Sequence, residues 1–350
     1  MKNWLTVKSR DSSWFDLGSL VTTIAWWTVT CSLTFHVLPA DAQELEFHPS
    51  LRITGFADAP FKGSISSDGR FSGRIDAFLA VRNIWQGGSV NAQFEYVDGD
   101  DFIGLGTNGI IWPTNVYSAV PRGLGSNPEL SLTLSHRFND RYNLTVGKFN
   151  VVELADKTPL VGGRGKGGFI YTGIAAPPSF VFPPYVVGAQ LSIATDPVNY
   201  SLFVYDANNA SGTDYWKSVF SDGITFNGTA TYKAEFGGLP GYFSANMIYS
   251  TKGSTDYSSL QITDENALFL ERTDGVYFGA FKFQQYLSHD LANPDNGWGV
   301  FGQLGFGSNG NRLSTQAMLG LAGSSPIEGR ENDRWGVAWS RFFWADELSD

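Results

Sequence analysis

Arg52, Arg74, Arg82 and Arg137 each sit in a stretch where apolar and polar residues alternate, and each falls opposite the apolar set. Lys148 follows in the same way, and Arg164 and Lys166 stand in the glycine-rich run 162–168, so these cations offer a basic track along one polar face. Asp76 and Glu95 share that face, while Glu153 and Asp156 lie just before the glycine-rich run. Two arrangements are open. The cations form a continuous track, or they pair with those carboxylates and with Asp58. In both, the chemistry is hydrogen bonding and charge rather than bond making.

Signals for catalysis are poor by comparison. Gly104-x-Gly106-x-x-Gly109 matches a dinucleotide pattern but falls in a loop with no helix after it, and Gly165-Lys166 lacks the Ser or Thr of a phosphate loop. His48, His136 and His289 have no ligand spacing, which leaves no metal site, no cofactor and no catalytic residue to assign. The carboxylates are abundant, but their pairing is invisible at this level.

The elements that carry these residues are strands. Val90, Ala92, Phe94 and Tyr96 interleave with Asn91, Gln93 and Glu95; Leu130, Leu132 and Leu134 interleave with Ser131, Thr133 and Ser135. From Leu51 onward this period of two recurs, and no helical stripe of period 3.6 competes with it. Thirteen strands are expected, at 51–60, 70–83, 89–98, 129–137, 142–149, 184–195, 198–206, 222–235, 239–250, 275–287, 296–306, 313–321 and 332–345. Several reach the nine to eleven or so residues a strand needs to cross a bilayer. Phe71, Tyr185, Tyr232, Tyr242, Tyr249, Tyr277, Trp298, Trp335 and Trp344 stand near strand ends, as in aromatic girdles.

Connection lengths alternate between long and short. The long ones run 61–69, 99–128, 150–183, 207–221 and 251–274, whereas 84–88, 138–141, 196–197 and 236–238 are tight turns rich in Gly, Asn, Asp and Pro. That alternation suits an antiparallel transmembrane β-barrel with loops outside and turns inside. The longest connection, 150–183, is expected to fold inward and narrow the lumen.

Composition agrees with this reading. The chain has 350 residues, 42% hydrophobic but only 17% charged, with 40 glycines and 15% aromatics. Disorder is excluded by that apolar content. The net charge of -10 speaks against nucleic acid as a partner. Lys2, Lys8 and Arg10 precede an uncharged stretch from Leu17 to Leu38 and the small residues Ala40 and Ala42, the pattern of a secretory signal peptide cleaved after Ala42. Residues 43–350 then form the β domain. Cleavage removes Cys31, the only cysteine, so the exported chain needs no disulfide.

Two blocks resemble a known family. The run from Leu144 to Asp156 (LTVGKFNVVELAD) and the region comprising Gly299–Gly307 (GVFGQLGFG), Ile327–Arg330 (IEGR), Asn332-Asp333 and Gly336-Val337-Ala338 are similar to segments of the carbohydrate-selective porins of the OprB family. The resemblance spans roughly 51–350 and is weak outside these blocks. It implies an all-β, sixteen-stranded outer-membrane channel for passive diffusion of mono- or oligosaccharides into the periplasm, embedded in outer-membrane lipid as a homotrimer. Members run on beyond the segment that here reads Ala345–Asp350, so about 13 strands are counted of an expected 16. On that reading the charged residues of the polar face line the pore, since polyols need side chains that replace water's hydrogen bonds. The alternative is a secreted or surface β-sandwich that binds glycans without transporting them.

Overall fold

A computed structural model describes residues 44–58, 69–99, 115–121, 126–156, 160–163, 165–175, 177, 179, 181–262, 268–289, 297–308, 310–330 and 333–345. All but Glu44 belong to one unit spanning Leu45–Asp350. The strands are β1 (Glu46–Asp58), β2 (Arg70–Arg82), β3 (Gly88–Gly99), β4 (Glu129–Arg137), β5 (Tyr142–Asn150), β6 (Tyr185–Ile193), β7 (Val198–Asp206), β8 (Ile224–Phe236), β9 (Leu239–Ser250), β10 (Ser254–Ile262), β11 (Leu268–Thr273), β12 (Val276–His289), β13 (Gly297–Gly307), β14 (Leu313–Ser324) and β15 (Arg334–Trp344). Among the described residues no helix is long and apolar enough to cross a membrane, which says nothing about crossing by strands.

Thirteen of these strands form one antiparallel meander in chain order, with β9 pairing directly with β12 and with β1 and β15 at its two ends. Each of the thirteen expected strands has its counterpart here. The sheet is a single layer, not two packed ones, so the sandwich alternative is set aside. The expected loop 251–274 differs from expectation, because it contains the separate hairpin β10–β11.

Each strand shows opposite faces to different surroundings. On β4, Leu130 and Leu132 are 54% and 51% exposed, while Ser131 between them is 5% exposed. On β7, Leu202 and Val204 are exposed and Phe203 is buried. The outward face is apolar, as lipid contact requires, and the inward face carries the polar residues. The sheet must be rolled, because one short segment touches both ends of its order. Lys166 Nζ lies 3.0 Å from Asp76 Oδ2 on β2, and Phe169, three residues on, packs edge-on against Phe301 of β13 with ring centroids 5.4 Å apart. The fold is the antiparallel β-barrel of the porin type.

Candidate functional site: a tied loop and two polar walls inside the barrel

The connection 151–184 lies against the inner face. Val161 and Ile174 pack with Phe301, Met318 and Ala322. The Val161 amide donates to Gln284 Oε1 on β12 at 3.0 Å, and Asn311 Nδ2 donates to the Ser179 carbonyl. Gly162 makes this approach feasible. Its φ is +82°, and a Cβ there would sit 2.1 Å from that of Ala322, so only glycine lets the backbone come so near the wall. Val181 and Phe182 extend the cover over Ile248 and Phe278.

A charged network fastens this loop and a second inward segment to β2 and β3. Arg74 Nε donates to Asp76 Oδ1 and Oδ2 at 2.8 and 3.0 Å, and its Nη2 is paired with Glu95. Its Nη1 donates to the carbonyls of Tyr117 at 3.2 Å and Val120 at 2.6 Å. Those carbonyls belong to a buried one-turn helix, Val116–Ala119, capped by Asn115, whose Oδ1 accepts from the Tyr117 amide at 3.0 Å. Glu95 Oε2 accepts from Asn150 Nδ2 at 2.8 Å and from the Tyr185 hydroxyl at 3.0 Å. Lys166 bridges Asp76 and Glu153, at 3.0 and 3.4 Å. Arg74, Asp76 and Glu95 are 2%, 0% and 0% exposed, so the network is sealed and every charge in it has a partner.

A second ion pair joins Lys148 of β5 to Glu129 of β4. Glu129 also accepts from the Ser126 hydroxyl and from the Gly212 amide, the latter at 2.9 Å, which draws the 207–221 connection inward. Lys148 reaches this position through Gly147, whose φ is +135°. Val146 points outward, and strict alternation would send Lys148 out as well. The turn at Gly147 reverses the face, and beyond it Lys148, Phe149 and Asn150 are all buried. Both faces of the β5–β6 ribbon are therefore covered there. Tyr185 of β6, expected in an aromatic girdle, is instead fully buried against Glu95, because this ribbon bends inward; Phe71, Tyr232, Tyr249, Tyr277, Trp298 and Trp335 are exposed on the outside.

The structure thus brings Arg74, Asp76, Glu95, Glu153 and Lys166 together, with Lys148 in a neighbouring pair. Arg52, Arg82 and Arg137 stand apart: Arg52 holds its guanidinium 5.7 Å from the Phe78 ring, and Arg82 and Arg137 are exposed beside the short turns. Arg164, the side chains of Asp58 and Asp156, and the glycine pattern 104–109 lie outside the described residues. Sequence reasoning missed Glu129, Asn150, Tyr117 and Tyr185. The LTVGKFN run carried the one available signal, a glycine that interrupts alternation just before a lysine and an asparagine.

The 207–221 connection has its own anchor. The Tyr215 hydroxyl donates to Asp206 Oδ2 at 2.7 Å, and the Phe220 amide donates to the same oxygen at 2.6 Å. Burial and the adjacent carboxylate push the Tyr215 hydroxyl above its ordinary range.

The remaining inner surface, on β6 to β9, is neutral. Gln190 Nε2 donates to Ser201 at 3.0 Å, Thr231 and Ser244 hydroxyls meet at 2.8 Å, and Asn246 Nδ2 donates to Asn227 Oδ1 at 2.6 Å. With charges locked together on one side and amides and hydroxyls on the other, the interior can hydrogen-bond a solute but has no group poised to attack one.

Comparison with known proteins follows the same lines. A family model described as carbohydrate-selective porin, OprB family, matches residues 80–350. The high-pH structure of Pseudomonas putida OprB is similar at a TM-score of 0.64 and 13% identity, over 87% of this chain and 76% of that one. Salmonella typhi OmpF in complex with daunomycin aligns at a TM-score of 0.36 and 11% identity, over 87% of this chain and 99% of that one. No curated protein matches the chain.

Proposed function

Because the chain belongs to the OprB family of carbohydrate-selective porins, we propose that it passes uncharged mono- or oligosaccharides by passive diffusion across the outer membrane into the periplasm. One observation carries this reading. The loop inside the barrel is tied to the wall by Lys166, Asp76 and Glu153, and the charges at that tie are consumed by one another. A narrowed lumen whose ionic groups are already paired presents little net attraction to a charged solute, while its free hydrogen-bonding groups suit a polyol. The pore-lining roles of Arg52, Arg82, Arg137, Arg164 and Asp156 belong to the same proposal, as the approaches to the constriction.

Export through a signal peptide cleaved after Ala42 and assembly as a homotrimer complete the reading. Amino-terminal sequencing of the outer-membrane form should begin at Gln43, and the detergent-solubilised protein should have the mass of three chains. The function itself is tested by swelling of liposomes that contain the purified chain. Entry of an uncharged hexose should outpace entry of a hexuronate of the same size; equal rates would remove the selectivity, and no swelling would remove the channel.

A further inference from the structure

The inner wall divides into two halves of different chemistry. On β2 to β5 the polar groups are sealed: Arg74, Asp76 and Glu95 lie under the inward segments, and using any of them to bind a solute means breaking a buried ion pair. On β6 to β9 the polar groups are half-buried, and they meet in neutral cross-strand pairs, Gln190 with Ser201, Thr231 with Ser244 and Asn227 with Asn246. Val181 and Phe182 cover Ile248, Phe278 and Phe203 further along these strands, but the neutral pairs below them are left open.

Register places the pairs as rungs of one ladder. Ser201 lies opposite Thr229, Thr229 opposite Asn246, and Thr231 opposite Ser244. Same-face residues on a strand are about 7 Å apart, so the span from Asn227 to Thr231 is about 13 Å. Each rung holds both a donor and an acceptor. A hydroxyl or amide can exchange its neighbour for a sugar hydroxyl without stranding a charge, whereas an ion pair cannot.

We infer that the β6–β9 wall, through the Thr231–Ser244 and Asn227–Asn246 pairs, is the track along which an uncharged polyol crosses the barrel and the part of the pore that sets its selectivity. The inference rests on the channel reading above and assigns the passage to one side of it. The ionic network on β2 to β5 then holds the loop in place and does not touch the solute.

The test uses the full chain in liposomes, with Cys31→Ser as background so that Thr231→Cys and Asn246→Cys supply the single thiol. A charged methanethiosulfonate reagent should label both positions, with excess glucose slowing the reaction. Labelling should reduce glucose-driven swelling about fivefold, the equivalent of one net hydrogen bond. Ser72→Cys, on the covered wall, should stay unlabelled. If Thr231→Cys and Asn246→Cys resist labelling, or are labelled with swelling unchanged, the wall assignment is overturned and the channel reading stands. If the parent protein gives no swelling in glucose, both fall together. Ser244→Ala, which removes one hydroxyl, replaces any cysteine variant that fails to insert. Slower glucose entry at unchanged KCl conductance supports the assignment, and unchanged entry refutes it.

Discussion

The Arg74 guanidinium spans two carboxylates at once: Asp76, two residues along its own strand, and Glu95, the cross-strand partner of Asp76. All three side chains are almost fully buried, so removing the cation strands two negative charges. Arg74→Ala should lower stability by about 3–5 kcal/mol, the usual penalty for breaking a buried pair. The temperature at which the folded band converts in a heat-modifiable gel shift reads this directly. Arg74→Lys keeps the charge but loses the fork, and should fall between the two.

Lys166 is the tether between loop and wall. Lys166→Met removes both its carboxylate partners while keeping its length and apolar stem. The loop should then swing more freely, and single-channel conductance should rise and become noisier. A conductance identical to that of the parent would show that the apolar contacts of Val161 and Ile174 hold the loop alone.

Gly147 reverses the face of β5 at a φ of +135°, and a Cβ there would lie 2.2 Å from the Leu132 carbonyl oxygen. Gly147→Val should destabilise the barrel by about 1–3 kcal/mol or more through backbone strain. The accompanying sign is release of the Lys148–Glu129 pair, measurable as faster protease cleavage in the 207–221 connection that Glu129 holds.

Adjacent residues on β7 separate lipid from lumen. Leu202→Arg places a cation on the outward face, with an expected penalty of about 2–4 kcal/mol near mid-membrane and less towards either interface. Ser201→Arg faces inward and should fold normally while making the channel more anion-selective. Urea titration of the two variants in the same lipid, together with reversal potentials, checks the pair.

The raised Tyr215 hydroxyl gives a pH signature. A group whose folded-state value is raised contributes stability that is intact below its unfolded value, here 10.0, and is lost as pH climbs past it. Parent and Tyr215→Phe should therefore differ by a constant amount up to about pH 10, and the difference should shrink above that. Urea midpoints at pH 8 and pH 11, read with the same probe, carry the comparison.

Strands with one greasy face announce themselves, and Leu130 to Ser135 or Val90 to Tyr96 need no structure to be recognised. The misses have physical causes. β1 starts at Glu46 and not at Leu51, because Pro49 hides the alternation; at the end of a sheet order its missing N–H is tolerated. The β10–β11 hairpin lies away from the main sheet, so its sequence bears no lipid-facing imprint. Arg74, Asp76 and Glu95 could be placed on one face by counting in twos. Their partners Asn150, Tyr117 and Lys166 come from connections 43 to 90 residues away in the chain, where no periodicity links them. Glycine at 147 then moves Lys148 and Tyr185 to a side that counting alone assigns wrongly.

Arg74 grips the second inward segment by the main-chain carbonyls of Tyr117 and Val120, not by their side chains. Every amino acid carries that carbonyl. The anchor therefore recognises the path of the segment and is indifferent to its composition, which leaves the residues at 117 and 120 free to drift over evolutionary time so long as the helical turn is kept. Relatives can in this way change what their lumen shows to a passing solute without loosening what holds the segment to the wall.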